Sequence, residues 1–202
     1  SDDHGAEIWR SGTGDSESWV RVVSDGFDGD SETLAVLSLE VFDGYLYAAT
    51  ENSDTGGEVW RSNDGTTWTQ ANLDGFGEAA NTHVVSLEVF ERALYAGTWN
   101  AAAGGEIWRS TDGTSWAQVM DGGFGRVDNR DVSSLLVFDG ELYAIVDNRE
   151  TGPEVWHSPT GDEGSWRQQV TTGFGCGASA GLRWDNGAGV FDDRLFVGTF
   201  TQ

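Results

Sequence analysis

A pentapeptide of the form Gly-x-Glu-Ile/Val-Trp occurs four times, with its tryptophan at Trp9, Trp60, Trp108 and Trp156, spaced by 51, 48 and 48 residues. A Gly-Phe pair follows each copy, at Phe27, Phe76, Phe124 and Phe174. A Val-Phe-x-x-x-Leu-Tyr/Phe segment comes next, marked by Phe42, Phe90, Phe138 and Phe191. Three markers in one order and nearly one period require a fold made of repeated units, each too small to bury its own apolar face.

Within a period one segment is β-branched and apolar and the next alternates small and large residues, and no stretch sustains the 3.6-residue spacing of a helix. The second full copy shows four strand-like segments, at 84–90, 93–98, 106–110 and 116–120, divided by turn signals. Asp43-Gly44 and Asp139-Gly140 are hairpin dipeptides, and Asp64-Gly65 and Asp112-Gly113 sit in turn clusters. Four short antiparallel strands per repeat make an all-β chain and a β-propeller blade. The chain begins at a third strand and stops after a second. The expected fold is therefore four blades in one domain, 1–202, with a half-blade at 1–24 completed by 181–202 and blades at about 34–73, 84–121 and 132–171. Two chains forming an eight-bladed ring is the alternative. The shared blade would remove open sheet edges.

The turns between third and fourth strands carry a resemblance. Ser62-Asn63-Asp64-Gly65-Thr66-Thr67-Trp68 and Ser110-Thr111-Asp112-Gly113-Thr114-Ser115-Trp116 resemble Asp-box (BNR) repeats, found in sialidases and other secreted propellers, though one residue shorter between Asp and Trp. Looser copies end at Trp19 and Trp166. The resemblance implies a propeller in which Asp64, Asp112, Trp68 and Trp116 are structural. It does not bring the sialidase active site: Tyr45, Tyr47, Tyr95 and Tyr143 all belong to second strands or the turns before them, and no arginine triad is recognisable.

Charge narrows the partners. The chain has 34 acidic residues against 11 basic ones, all arginine, for a net charge of -23. Affinity for nucleic acid or anionic lipid rests on cationic side chains, so both are excluded as partners. No apolar run is long enough for a membrane span. Such lysine-free acidity is halophile-like, and with the Asp-box resemblance it suggests an extracellular or cell-surface protein. One cysteine, Cys176, excludes an internal disulfide.

Binding residues are expected on the end of the ring that carries the long, dissimilar loops. Trp99 and Trp184 fall outside the periodic tryptophans. Trp99 aligns with Glu51, Asp147 and Phe200, and beside this position recur Asn52, Asn100 and Asn148. An aromatic face beside amides suits a sugar ring. The ligand set read from the sequence is thus Trp99, Asn100, Asn52, Asn148, Trp184 and Phe200, with no catalytic residue assigned. Asp28, Asp30 and Glu32 are a weak calcium candidate, and no other cofactor is implied. These residues point to a non-catalytic, lectin-like binding module, monomeric, recognising carbohydrate or another surface protein. A spacer module without small ligand and a glycoside hydrolase using loop carboxylates are the alternatives.

Overall fold

The computed structural model describes residues 5–148, 150–171, 173–175, 180–181 and 187–201. The chain is all-β, 49% strand. Blade A contains β3 (Thr33–Phe42), β4 (Tyr45–Asn52), β5 (Val59–Ser62) and β6 (Thr69–Gln70). Blade B contains β7 (His83–Phe90), β8 (Ala93–Trp99), β9 (Ile107–Ser110) and β10 (Trp116–Met120). Blade C contains β11 (Asn129–Phe138), β12 (Glu141–Asn148), β13 (Glu154–Ser158) and β14 (Arg167–Val170). Each blade is an antiparallel meander. Ahead of them stands the hairpin β1 (Ile8–Arg10) and β2 (Val20–Val23), and behind them β16 (Ala188–Phe191) and β17 (Arg194–Val197). Two short strands, β15 (Ala180–Gly181) and β18 (Phe200–Thr201), pair with each other.

Local chemistry explains the turns. In Asp64 one carboxylate oxygen, Oδ1, accepts the Thr66 and Thr67 N–H groups, both at 2.7 Å, and the Ser62 hydroxyl at 3.0 Å. Asp112 does the same with Thr114, Ser115 and Ser110. Backbone N–H bonds to the ionised form hold both carboxyls well below the usual carboxylate range.

The Gly-Phe marker joins blades. Gly75 and Phe76 are both left-handed, at φ 53° and 59°, as are Gly123 and Phe124 at 60° and 61°. This turn swings Phe76 onto Trp108 of the next blade, stacked at 4.8 Å; Phe27, which is not itself left-handed, stacks on Trp60 at 4.9 Å. The turn also runs against its neighbour, and a Cβ on Gly104 would lie 2.6 Å from Gly123 backbone atoms. Only glycine permits that approach.

A buried glutamate completes each junction. Glu58, Glu106 and Glu154 accept the indole N–H of Trp60, Trp108 and Trp156. Glu106 and Glu154 also accept the amides of Asn81 and Asn129 from the preceding inter-blade connection.

The first strands of successive blades lie side by side. Ser38 Oγ accepts the Leu87 N–H, and Ser86 Oγ donates to the Val132 carbonyl. The flanking hairpins leave related surfaces bare. Leu39 is 50% exposed, whereas its counterparts Leu87 and Leu135 are each 5% exposed; Trp9 is 51% exposed against 4% for Trp60. On the other hairpin Phe191 is 74% exposed against 7% for Phe42. Among the described residues β1–β2 and β16–β17 are separate two-stranded sheets, and β1 is not paired to β17.

Candidate active site

The loop end of the inner strands carries the chemistry. Ladder pairs run without a break from Ala35 to Glu51, to His83, to Trp99, to Asp131 and to Asp147. The row crosses six strands, two from each blade, because β4 reaches β7 and β8 reaches β11 at this end alone. Facing residues in such ladders stand about 5 Å apart at Cα. Five of the six are therefore adjacent groups able to donate or accept protons or to stack on a ligand. The Gly181–Phe200 pair of the fourth repeat belongs to a separate two-stranded sheet, β15–β18.

His83 is 4% exposed, and its ring lies 5.1 Å from the Trp99 ring, tilted by 48°. Its Nε2 is 3.5 Å from the Glu51 carboxylate. Burial lowers the His83 pKa to about 4, so the imidazole is neutral at physiological pH. Glu51 consequently has no cationic partner there, and burial raises its pKa above the ordinary carboxylate value. Asp131 and Asp147 are 2% and 3% exposed. Among the described residues the indole N–H of half-buried Trp99 has no protein acceptor.

Of the residues expected from the sequence, Trp99 falls in this row, whereas Phe200 lies in the separate β15–β18 sheet. Asn52, Asn100 and Asn148 lie beside it but are 0%, 2% and 1% exposed. Their side-chain oxygens cap the following loops: Asn52 accepts Asp54 and Thr55 N–H groups, Asn100 those of Ala102 and Ala103, and Asn148 those of Glu150 and Thr151. Their amides bond to Asp30, Asn81 and Asn129 respectively. Those contacts make them loop anchors beneath the row. Trp184 lies outside the described residues.

The calcium candidate is not assembled as a site. Asp30 spends one oxygen on the Asn52 amide and the other on the Glu32 N–H. Among the described residues no group of three or more His, Cys, Asp or Glu side chains is placed to hold a metal ion. Among the described residues no helix is long and apolar enough to cross a membrane.

The residues not chosen from sequence are His83 and the three acids. Glu51 and Asp147 are visible as the repeat counterparts of Trp99. His83 and Asp131 are marked only by chemistry that differs between otherwise similar first strands.

No family model matches the chain, and no curated protein matches it. Among solved structures it is similar to GH43B of a Bacteroides ovatus xyloglucan utilisation locus, with TM-score 0.50 and 17% identity over 79% of this chain and 34% of that one. It is similar also to an endo-arabinase from Bacteroides thetaiotaomicron, with TM-score 0.50 and 12% identity over 90% and 76%. The chain thus spans about a third of the first protein and three quarters of the second. These neighbours are β-propeller enzymes, so the likeness supports a propeller-like architecture. They belong with the five-bladed glycoside hydrolases rather than the sialidases.

Two expectations are corrected by this finding. The chain was read as a non-catalytic binding module and as no enzyme; its structural neighbours are glycoside hydrolases, and the alternative reading through loop carboxylates fits them better. The physical reason lies in the row itself: register, invisible in sequence separations of 16 to 32 residues, places three acids in one row, Asp131 beside Asp147 and Glu51 three rungs away.

Proposed function

We propose that this chain is a glycan-active hydrolase working at the loop end of its innermost strands. The observation that supports this reading is the unbroken row Glu51, His83, Trp99, Asp131, Asp147. Glycosidic cleavage needs one carboxyl group that arrives protonated and a second that is ionised, on opposite sides of the bond. Glu51, held above the usual carboxylate range beside a neutral imidazole, is the proton donor to the leaving oxygen. Asp131 is the second carboxylate, acting on water or on the anomeric carbon, with Asp147 next to it across β11–β12. Trp99 stands between donor and acceptor and offers its face to the sugar ring.

The neighbours suggest the substrate class: plant-type glycans built from arabinose and xylose units. In the same reading the chain forms one domain, a four-bladed ring would close by bringing β17 beside β1, to which it is not paired in this structure, the turns at Asp64 and Asp112 act as Asp-box hairpins, and the protein works outside the cell.

The test is hydrolysis of aryl α-L-arabinofuranoside, aryl β-D-xyloside, arabinan and xylan by the full chain and by Glu51→Gln, Asp131→Asn and Asp147→Asn. Glu51→Gln and Asp131→Asn are each expected to lose about 100-fold or more in kcat, with far-UV circular dichroism unchanged. Hydrolysis that survives in both variants removes these acids from the mechanism.

A further inference from the structure

A second hollow lies away from the inner row, on the outer strands where blade A meets blade B. It has a volume of about 370 Å³ and is bounded by Gln70, Ala71, Leu73, Trp108, Thr114 and Trp116. Its origin can be read by comparing the three blade junctions. Each holds a phenylalanine against one tryptophan, stacked at the first two junctions and tilted by 37° at the third, and edge-on to a second. At the first junction Phe27 and Trp60 are 2% and 4% exposed with Trp68 half-buried, and at the third Phe124 and Trp166 are 8% and 4% exposed with Trp156 half-buried, so each keeps one partly open ring. At the middle junction Phe76, Trp108 and Trp116 are all half-exposed.

The cause is side-chain volume on the fourth strand. Where the first and third junctions have Val22-Val23 and Val119-Met120, the middle one has Ala71-Asn72. Asn72 then turns its oxygen inward to accept the Val59 N–H at 2.7 Å. Two aromatic faces are left uncovered as a result. The corresponding hollow at the third junction is lined by Gln118, Val119, Met120, Asp121, Glu163 and Gly164, and no ring faces it.

The uncovered rings are held rigidly. Trp116 donates its indole N–H to the Ala71 carbonyl at 2.9 Å, and Phe76 and Trp108 are stacked within 6° of parallel. Around them stand exposed polar groups. Gln70 anchors its amide nitrogen on Asp74 and keeps its carbonyl available, and Thr114 borders the opening. Leu73, 75% exposed, forms an apolar wall. Fixed aromatic faces flanked by an amide and a hydroxyl match a sugar ring, which has apolar C–H faces and a polar rim. The size falls within the range of small-ligand sites. A surface of net charge -23 disfavours anionic ligands.

We propose that this hollow is an accessory site for a neutral sugar unit, holding a glycan chain on the rim while another part of it occupies the inner row. The glycan-active reading enters only in the choice of probe. Asp131→Asn in the full chain, carrying also Trp99→Ala to remove axial stacking, is titrated with arabinohexaose and with xylohexaose. Tryptophan fluorescence and saturation-transfer NMR report binding. At least one oligosaccharide is expected to bind, and adding Ala71→Val, the side chain that fills the third junction, is expected to weaken it about tenfold or more. Asn72→Met, the neighbouring filler, is expected to act the same way. Ala71→Val alone should leave hydrolysis of a short aryl glycoside unchanged. The proposal is overturned if neither oligosaccharide binds, or if both filled variants bind as tightly as their parent. Binding that depends on Ala71 in a protein that hydrolyses nothing supports the rim site and rejects only the axial one.

Discussion

Replacing Glu154 by alanine tests whether the junction glutamates hold the blades together. Glu154 is fully buried and accepts the indole N–H of Trp156 and the amide of Asn129, both at 3.0 Å, with the Arg126 guanidinium at 3.3 Å. Truncation strands the buried Asn129 amide and the half-buried Trp156 indole N–H and removes the anion facing Arg126, whose side chain is 45% exposed. Stranded buried donors cost about 1–3 kcal/mol each, and losing the contact to the exposed Arg126 adds about 0–1 kcal/mol, roughly 3–5 kcal/mol in all. In a chain of this length about 1 kcal/mol moves Tm by roughly 2–4 °C, so Glu154→Ala should lower Tm by about 6–20 °C. Glu154→Gln keeps one carbonyl acceptor and should fall by less. Glu7 is the built-in control: it makes the same bond to Trp9 and pairs with Arg21, but on the exposed β1–β2 hairpin. Water replaces those contacts, and Glu7→Ala should cost no more than about 1 kcal/mol. Calorimetry with matched urea titrations measures both. If Glu154→Ala and Glu7→Ala lose the same stability, the argument that burial makes this bond decisive is wrong.

Three further outcomes follow from charge and from the hairpin edges. Burial and the nearby Glu40 raise Glu88 to about pH 7, so the native state keeps a proton that the unfolded chain releases near 4.5. Stability therefore falls as pH rises from about 4.5 to 7. Glu88→Gln should raise Tm at pH 8 by a few degrees, about 1 kcal/mol after solvent screening, and leave it unchanged at pH 4. Molar salt screens the self-repulsion of -23 charges, so Tm should rise from low to molar salt; a flat or falling Tm contradicts this. By analogy with the Leu46–Ser62 pair of β4 and β5, ring closure would place Leu195 opposite Ser11. Leu195→Cys with Ser11→Cys, in a Cys176→Ser background, should oxidise to a disulfide-linked monomer; a linked dimer would transfer the closure to two chains.

The repeat markers made the strand architecture readable because each one does local work. Asp64 closes its own turn, and the alternation in β4 or β8 reports one buried and one covered face. The Gly-Phe marker is likewise visible, though its purpose is not: nothing in the sequence says that Phe76 is aimed at Trp108 of the next blade. The site was only partly legible. Trp99 stood out as an aromatic breaking the repeat, but Asn52, Asn100 and Asn148 looked equally ligand-like, since a side chain that caps a loop and one that meets a sugar have the same chemistry on paper.

Composition, period and turn chemistry are short-range properties, and they suffice to specify an acidic, all-β chain of four-stranded units. The assembly of Glu51, His83, Trp99, Asp131 and Asp147 depends instead on the register between strands and on which strand ends touch across blades. Register is decided by collective packing of the blade faces, and one residue of slip would turn every member of the row to the opposite face.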